Sequence, residues 1–180
     1  LYHVFRPRVT AECLESVYEL ELALQAVLVE IKREGVKVDV AIAQKQLRLL
    51  AGFLTDIQTE IEAKIGYTIN LKSSAQLKEL FYEILMYPPK PDWKTATVYS
   101  TNKMVLNAIS LDQSRPLAAE IASKILLHRK YTKLVTGFLN RLIETAPQNG
   151  GYIFPSFNST GTVTGRFSCT RPNLQQIPGE

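Results

Sequence analysis

The strongest constraint on this chain is a seam. Between Val40 and Gly66 the apolar residues Ala43, Leu47, Leu50, Leu54, Ile57 and Ile61 are spaced alternately four and three apart. That interval keeps a stripe on one side of an α-helix. A helix of this length reaches roughly 40 Å at about 1.5 Å per residue, too far for a small bundle unless it projects. Arg115 to Glu144 carries a matching stripe of Ala118, Ile121, Ile125, His128, Thr132, Val135, Leu139 and Leu142. Two stripes of one period bury each other as an antiparallel pair, so the sequence predicts a long helical arm. Two ordinary core helices would carry the same stripes; length favours the arm.

The remaining pieces are shorter. Ala11 to Glu34 reads as a helix with Leu14, Val17, Leu20, Leu24, Val27, Leu28 and Ile31 inward, stopped by Gly35. Gly35 to Asp39 (GVKVD) is an extended bridge, and Asp39 is an N-cap for the long helix. Between the two long helices, Ser73 or Ser74 caps a helix over Ala75 to Leu85, with Leu77, Leu80, Phe81 and Ile84 inward. Met86 to Thr101 is a Pro-rich loop in which Trp93 packs or makes a surface contact, and Ser100 or Thr101 begins a short helix through Ala108. These pieces form a tip on the arm. After Glu144, Ala146 to Gly151 breaks the helix, and Tyr152 to Asn158 (YIFPSFN) alternates like an edge strand. The expected fold class is therefore mainly α: a long antiparallel helical arm with a small helical tip, followed by a short β-hairpin or strand segment.

Composition narrows the class. With 46% apolar residues the chain is globular rather than disordered. It has no apolar run of spanning length, which argues against the membrane. Cys13 and Cys169 form no disulfide or metal spacing and suit a reducing compartment. Residues 1–13 mix Pro, Arg and aromatics like the tail of a preceding element, and without a leading Met the chain reads as a piece of a longer protein. The net charge is +4, unevenly spread: residues 1–114 hold thirteen basic and fourteen acidic side chains, residues 115–180 eight and three. A basic final third is a mild footprint for a polyanion.

Phe157 to Pro178 (FNSTGTVTGRFSCTRPNLQQIP) holds no acid. Arg166 follows a glycine, where the backbone can approach something bulky, and Asn173, Gln175 and Gln176 add amide donors. Such a set suits the minor groove of a duplex, where each base pair offers an acceptor at its edge. A polar loop of any enzyme could read the same way.

Thr162 to Pro178 (TVTGRFSCTRPNLQQIP) resembles the TGR-L-S-S-x-x-PNLQ-N-IP signature of family A DNA polymerases, the DNA polymerase I type. It departs at Phe167 for Leu, Cys169 for Ser and Gln176 for Asn. The Cys169 change replaces a hydroxyl by a weaker thiol donor, and no contact is assigned there. Further segments match in order: GVKVD resembles the base of the family's thumb, and Ile69 to Leu85 (INLKSSAQLKELFYEIL) its F-N-x-N-S-x-x-Q-L segment. Tyr99 to Ile109 (YSTNKMVLNAI) and His128 to Ile143 (HRKYTKLVTGFLNRLI) are similar to the Y-S-T and YR-x-x-x-KL segments. Together they cover roughly residues 35–178.

The resemblance implies roles. Arg129 and Lys133, four apart on one helix face, would grip phosphates of a primer–template duplex; the bland alternative is a solvated basic face. Asn70, Lys72 and Ser73 match a thumb-tip phosphate clamp at a helix N-terminus, and Ser100 and Asn102 match a second tip loop, where plain capping is the alternative. Arg166, Asn173, Gln175 and Gln176 match residues at the minor groove near the primer terminus. His128 packs in the seam. Residues 1–16 are then a linker, 17–150 the thumb and 151–180 the start of the palm. The parent is expected to be a cytoplasmic (bacterial or phage-encoded) or organellar monomeric DNA-directed DNA polymerase, a nucleotidyltransferase of replication and repair.

Nucleotidyl transfer in this family needs metal-holding aspartates and a fingers Lys. Asp39, Asp56, Asp92 and Asp112 are scattered, and neither the D-Y-S-x-I-E-L run nor the H-D-E turn is present. The fragment alone is therefore expected to have no catalytic or metal-binding residues and no activity. Mg2+ and dNTP belong to the full-length polymerase. No long insert separates Pro88 from Tyr99, so a processivity factor is not expected. Two rivals remain: a free-standing helical nucleic-acid-binding module, and a coiled-coil interaction hairpin whose basic face only solubilises.

Overall fold

Helix α1 (Tyr2–Ala11) turns at Glu12–Leu14 into α2 (Glu15–Glu34), followed by strand β1 (Val36–Lys37) and the long helix α3 (Val40–Ile65). Next come α4 (Ser74–Lys78), which runs on as a π-helical turn over Glu79–Ile84, α5 (Lys103–Ser110) and α6 (Pro116–Leu134). A second π segment, Val135–Leu139, leads to α7 (Asn140–Thr145), and strands β2 (Tyr152–Ile153), β3 (Ser156–Asn158) and β4 (Ser168–Thr170) close the order. This computed structural model describes residues 2–94 and 99–177, without the side chains of Tyr2 and Gln176. Residues 95–98 of the Pro-rich loop and Pro178 of the end motif lie outside the described residues. The fold is mainly helical and ends in short strands, as the sequence predicts, but the strands form two small antiparallel pairs where one hairpin or strand segment is expected. Among the described residues no helix is long and apolar enough to cross a membrane.

The chain divides into two units, Leu1–Gln44 with Phe138–Glu180, and Lys45–Gly137. In the second unit α3 and α6 run antiparallel, and three side-chain pairs show the register. Phe53 meets Tyr131 edge-on at 5.2 Å, Glu60 pairs with Lys124, and Lys64 lies 2.9 Å from Glu120. As the α3 number climbs by seven and then four, the α6 number falls by the same steps. These ion pairs are partly exposed and contribute about 0–1 kcal/mol each. The seam does more: Ile57, Ile61, Ile121 and Ile125 are almost completely buried, and Leu47, Leu50 and Leu54 are half-buried.

Helix α5 packs against α6, where Ala118 and Ala122, one turn apart, are small enough for close approach. It buries Val105, Leu106 and Ile109 completely. The turn between them is fixed by Asp112, which accepts from the Ser114 N–H (3.0 Å) and hydroxyl (2.6 Å) and from the Tyr87 hydroxyl (2.8 Å). Those donors hold the Asp112 carboxyl below the usual range, while burial and then Asp112 push the Tyr87 hydroxyl up to about 12. Trp93 is buried and stacks on Tyr87 at 6.1 Å, so of the two roles open to it, packing or a surface contact, it packs.

Several expectations need correction here. Ile84, expected inward, is half exposed, because the segment leaves α-helical spacing: Leu85 N–H bonds to Leu80 C=O, five residues back, and rotates Ile84 outward. Helix α5 begins after Asn102 rather than at Ser100 or Thr101, and Asn102 caps it, as its capping alternative has it, with Oδ1 accepting from the Val105 N–H at 2.9 Å. Along the second stripe, Phe138 takes the buried place expected of Leu139, again across a π turn.

In the first unit, residues 2–11 of the expected linker form α1, and Arg6 lies 5.2 Å over the Tyr18 ring on α2. No α2 residue is buried, and Leu14, Val17, Leu20, Val27 and Ile31, expected inward, are exposed; the half-buried side is that of Tyr18, Leu24 and Leu28. Strand β1 pairs with β2 (Val36 with Ile153), and β3 with β4 as a hairpin (Phe157 with Cys169). Gly35 is required where it stands. Its φ is +71°, and a Cβ would fall 2.7 Å from the Phe154 ring and 3.0 Å from the Ile153 carbonyl. Asp39 caps α3 through the Ile42 N–H, as expected.

Because the α3–α6 seam carries the second unit, Ile121→Ala should lower its unfolding free energy by about 2–5 kcal/mol in urea titrations. Leu49→Ala, on the exposed side of α3, should cost no more than about 0.5 kcal/mol. Equal costs would contradict the seam.

Candidate nucleic-acid interface

Seven of the residues singled out from sequence fall in the second unit, and three elements bring most of them together. The segment before α4 is held by its own side chains: Asn70 Oδ1 accepts from the Lys72 N–H (2.9 Å), and Ser73 Oγ accepts from the Gln76 N–H (3.4 Å). Gln76 in turn accepts the Asn70 N–H at 2.7 Å. Asn70 and Ser73 thus fix the loop's shape, and Lys72 projects from it exposed. The segment before α5 is held likewise. Ser100 Oγ accepts from the Asn102 N–H (3.1 Å), and the Tyr82 hydroxyl donates to the Ser100 carbonyl (2.5 Å).

Helix α6 supplies the basic side chains. Arg129 is half-buried and donates from Nη1 to the Thr101 carbonyl at 2.8 Å. A guanidinium has five donors in a fixed plane, so one bond to the chain orients the rest. Burial lowers its pKa from an ordinary value so high that it keeps its charge. Two clefts open around it. One, of about 340 Å³, is lined by Arg129 with Ser74, Lys78, Ser100, Thr101 and Asn102. The other, of about 390 Å³, is lined by Arg129 with Lys72, His128, Thr132, Lys133 and Thr136 beside Leu71. Asn70 and Ser73 line neither.

No acid lines either of these two clefts, although Lys78 also borders a third that Glu79 and Glu83 line. The ion pairs among the described residues join Lys64 and Lys124 to Glu60 and Glu120, and leave Lys72, Lys78, Arg129 and Lys133 without a carboxylate partner. Like charges gathered without acids make a site for an anion. Lys78 was missed in the sequence, although it lies four residues after Ser74 on the same helical face. His128 is buried as expected of a seam residue, yet its ring also borders the second cleft.

The other four residues lie in the first unit. Arg166 is exposed in the loop between β3 and β4, where the Thr162 hydroxyl donates to its carbonyl at 2.5 Å. Asn173 and Gln175 follow β4 in a 3₁₀ turn that packs back on the strand, the Gln175 N–H donating to Asn173 Oδ1 at 3.2 Å. The loop and the turn flank the three-residue strand β4, one at each end. The backbone of Gln176 is in that turn; its side chain lies outside the described ones. Cys169 is buried, its thiol 3.4 Å from the Pro172 carbonyl, so the thiol is engaged inside the chain.

A fold of this kind has known relatives. The chain belongs to DNA polymerase family A, whose family model matches residues 40–180. It is 34% identical over 161 residues to the thermostable DNA polymerase I of Thermus caldophilus, covering 89% of this chain and 19% of that protein. It is 32% identical over 179 residues to DNA polymerase I of Treponema pallidum, covering 99% of this chain and 17% of that one. The POL domain of Pol1 from M. smegmatis, solved in complex with DNA primer-template and dNTP, superposes with a TM-score of 0.75 at 31% identity. That likeness covers 89% of this chain and 27% of the other. The chain thus spans about a fifth of the length of these curated relatives.

Asn102→Ala should destabilise the second unit by about 0.5–2 kcal/mol in thermal melts, with Asn102→Ser recovering most of the loss. A neutral Asn102→Ala would show that the cap does not hold the α5 side of the cleft.

Proposed function

We propose that this chain is the thumb and the entry to the palm of a DNA-directed DNA polymerase, and that its task is to hold the primer–template duplex. The observation that carries the reading is the convergence of Lys72, Arg129 and Lys133 on one cleft, continued through Arg129 to Lys78, Ser100 and Asn102, with no acid neutralising them. Cations on short, braced segments suit successive phosphates of a backbone, which they position without reading sequence. Arg166, Asn173, Gln175 and Gln176 are assigned to acceptors at the minor-groove edge near the primer end, where any base pair can be met by a donor. The DNA and dNTP in the M. smegmatis complex support the same partner class.

Nucleotidyl transfer belongs, in this reading, to the whole polymerase, in which Mg2+ would serve as Lewis acid. The described residues do not fit such a metal. Asp39 accepts the Ile42 N–H, Asp112 is engaged by Ser114 and Tyr87, and no three His, Cys, Asp or Glu side chains converge. The proposal therefore gives this chain a grip and no step at the metal, and the chain alone is expected to be inactive.

Binding to a labelled primer–template should be independent of sequence and fall with log salt by about 0.9 per phosphate neutralised. The Arg129→Ala, Lys133→Ala double variant should bind more weakly, with a slope shallower by about two units. Absence of binding at low salt, or an unchanged slope, would contradict the grip and favour a coiled-coil interaction hairpin.

A further inference from the structure

His128 stands where a packing residue and a ligand-binding residue coincide. It is 8% exposed, yet its ring borders the 390 Å³ cleft alongside Lys72, Arg129 and Lys133. Its Nδ1 lies 3.5 Å from the Thr132 hydroxyl one turn on, which leaves Nε2 for another partner. Burial, and then the charges of Lys72 and Arg129, lower its pKa from the ordinary 6.5. Lys72 reaches it from the loop before α4, and Arg129 and Lys133 flank it on α6. On α3, packed along α6, Asp56 stands level with His128 but is exposed, and it is not among the charges acting on the ring.

We propose that His128 is a proton-linked phosphate ligand. The imidazole is neutral while the cleft is empty, and takes up one proton when a phosphodiester of the duplex enters between Lys72, Arg129 and Lys133. The inference rests on the duplex grip proposed above and adds a residue and a regulation to it. The entering oxygens reverse the sign of the local field, supply an acceptor for an Nε2–H, and so favour the charged ring that the empty cleft disfavours. A proton taken up on binding makes affinity rise as pH falls between the midpoints of the bound and free states. Lysine and arginine stay charged throughout this range and cannot supply that dependence.

The test is an NMR titration of the His128 imidazole from about pH 5 to about pH 8, without duplex and with saturating primer–template. The chain has two histidines, so His3 serves as an internal reference. The free midpoint should lie below 6.5 and move up by about one unit in the complex, with affinity rising about tenfold across that interval. His128→Gln should lose the rise of affinity with falling pH. If the duplex binds but the His128 midpoint does not move, this inference is overturned and the grip stands. If no duplex binds at low salt at any pH, the grip itself fails and the inference with it.

Discussion

Burial of the α3–α6 seam is the interaction on which the second unit depends. Everything that shapes the clefts is attached to it: the loop of Asn70 to Ser73 follows α3, and α5 lies on the small residues of α6. The ion pairs along its edge fix register more than they stabilise, since each is partly exposed. A seam of isoleucines keeps the two helices in register over the span from Phe53 to Lys64. A basic residue on α6 and a capped loop beyond α3 then meet with little freedom left to lose.

That rigidity gives the basic residues their meaning. A lysine on an exposed helix is an ordinary solvated cation. Arg129 differs, because burial and the Thr101 carbonyl hold one edge of its guanidinium and orient the remainder toward both clefts. Loops braced by Asn70, Ser73, Ser100 and Asn102 keep neighbouring donors in place. A braced set of donors binds a polyanion at smaller entropic cost than a flexible one.

Much of this was legible in the sequence because it is local or periodic. The stripe from Ala43 to Ile61 names the buried side of α3, and Asp39 and Ser73 sit where an N-cap must. Other features were hidden for physical reasons. A π turn changes the period within the run from Leu77 to Ile84, and no residue type marks it. The pairing of Val36 with Ile153 joins two-residue strands more than a hundred positions apart, and neither carries enough pattern to announce a partner. Stripes on α2 mark an apolar side without showing whether it is covered, and Val17, Leu20 and Val27 are exposed. The residues of the basic clefts came from family resemblance and the i, i+4 rule, whereas placing Lys78 and His128 at the clefts needed the three-dimensional arrangement.

The central claim is that the basic clefts of the second unit hold duplex DNA, and amine-reactive footprinting tests it most directly. Lysines would be labelled with and without primer–template, and modification read at each site. The account predicts strong protection of Lys72, Lys78 and Lys133, with Lys90, 5.6 Å from the Trp93 ring and outside both clefts, unchanged. Protection spread evenly over all lysines, or absent from these three while duplex binds, would contradict it.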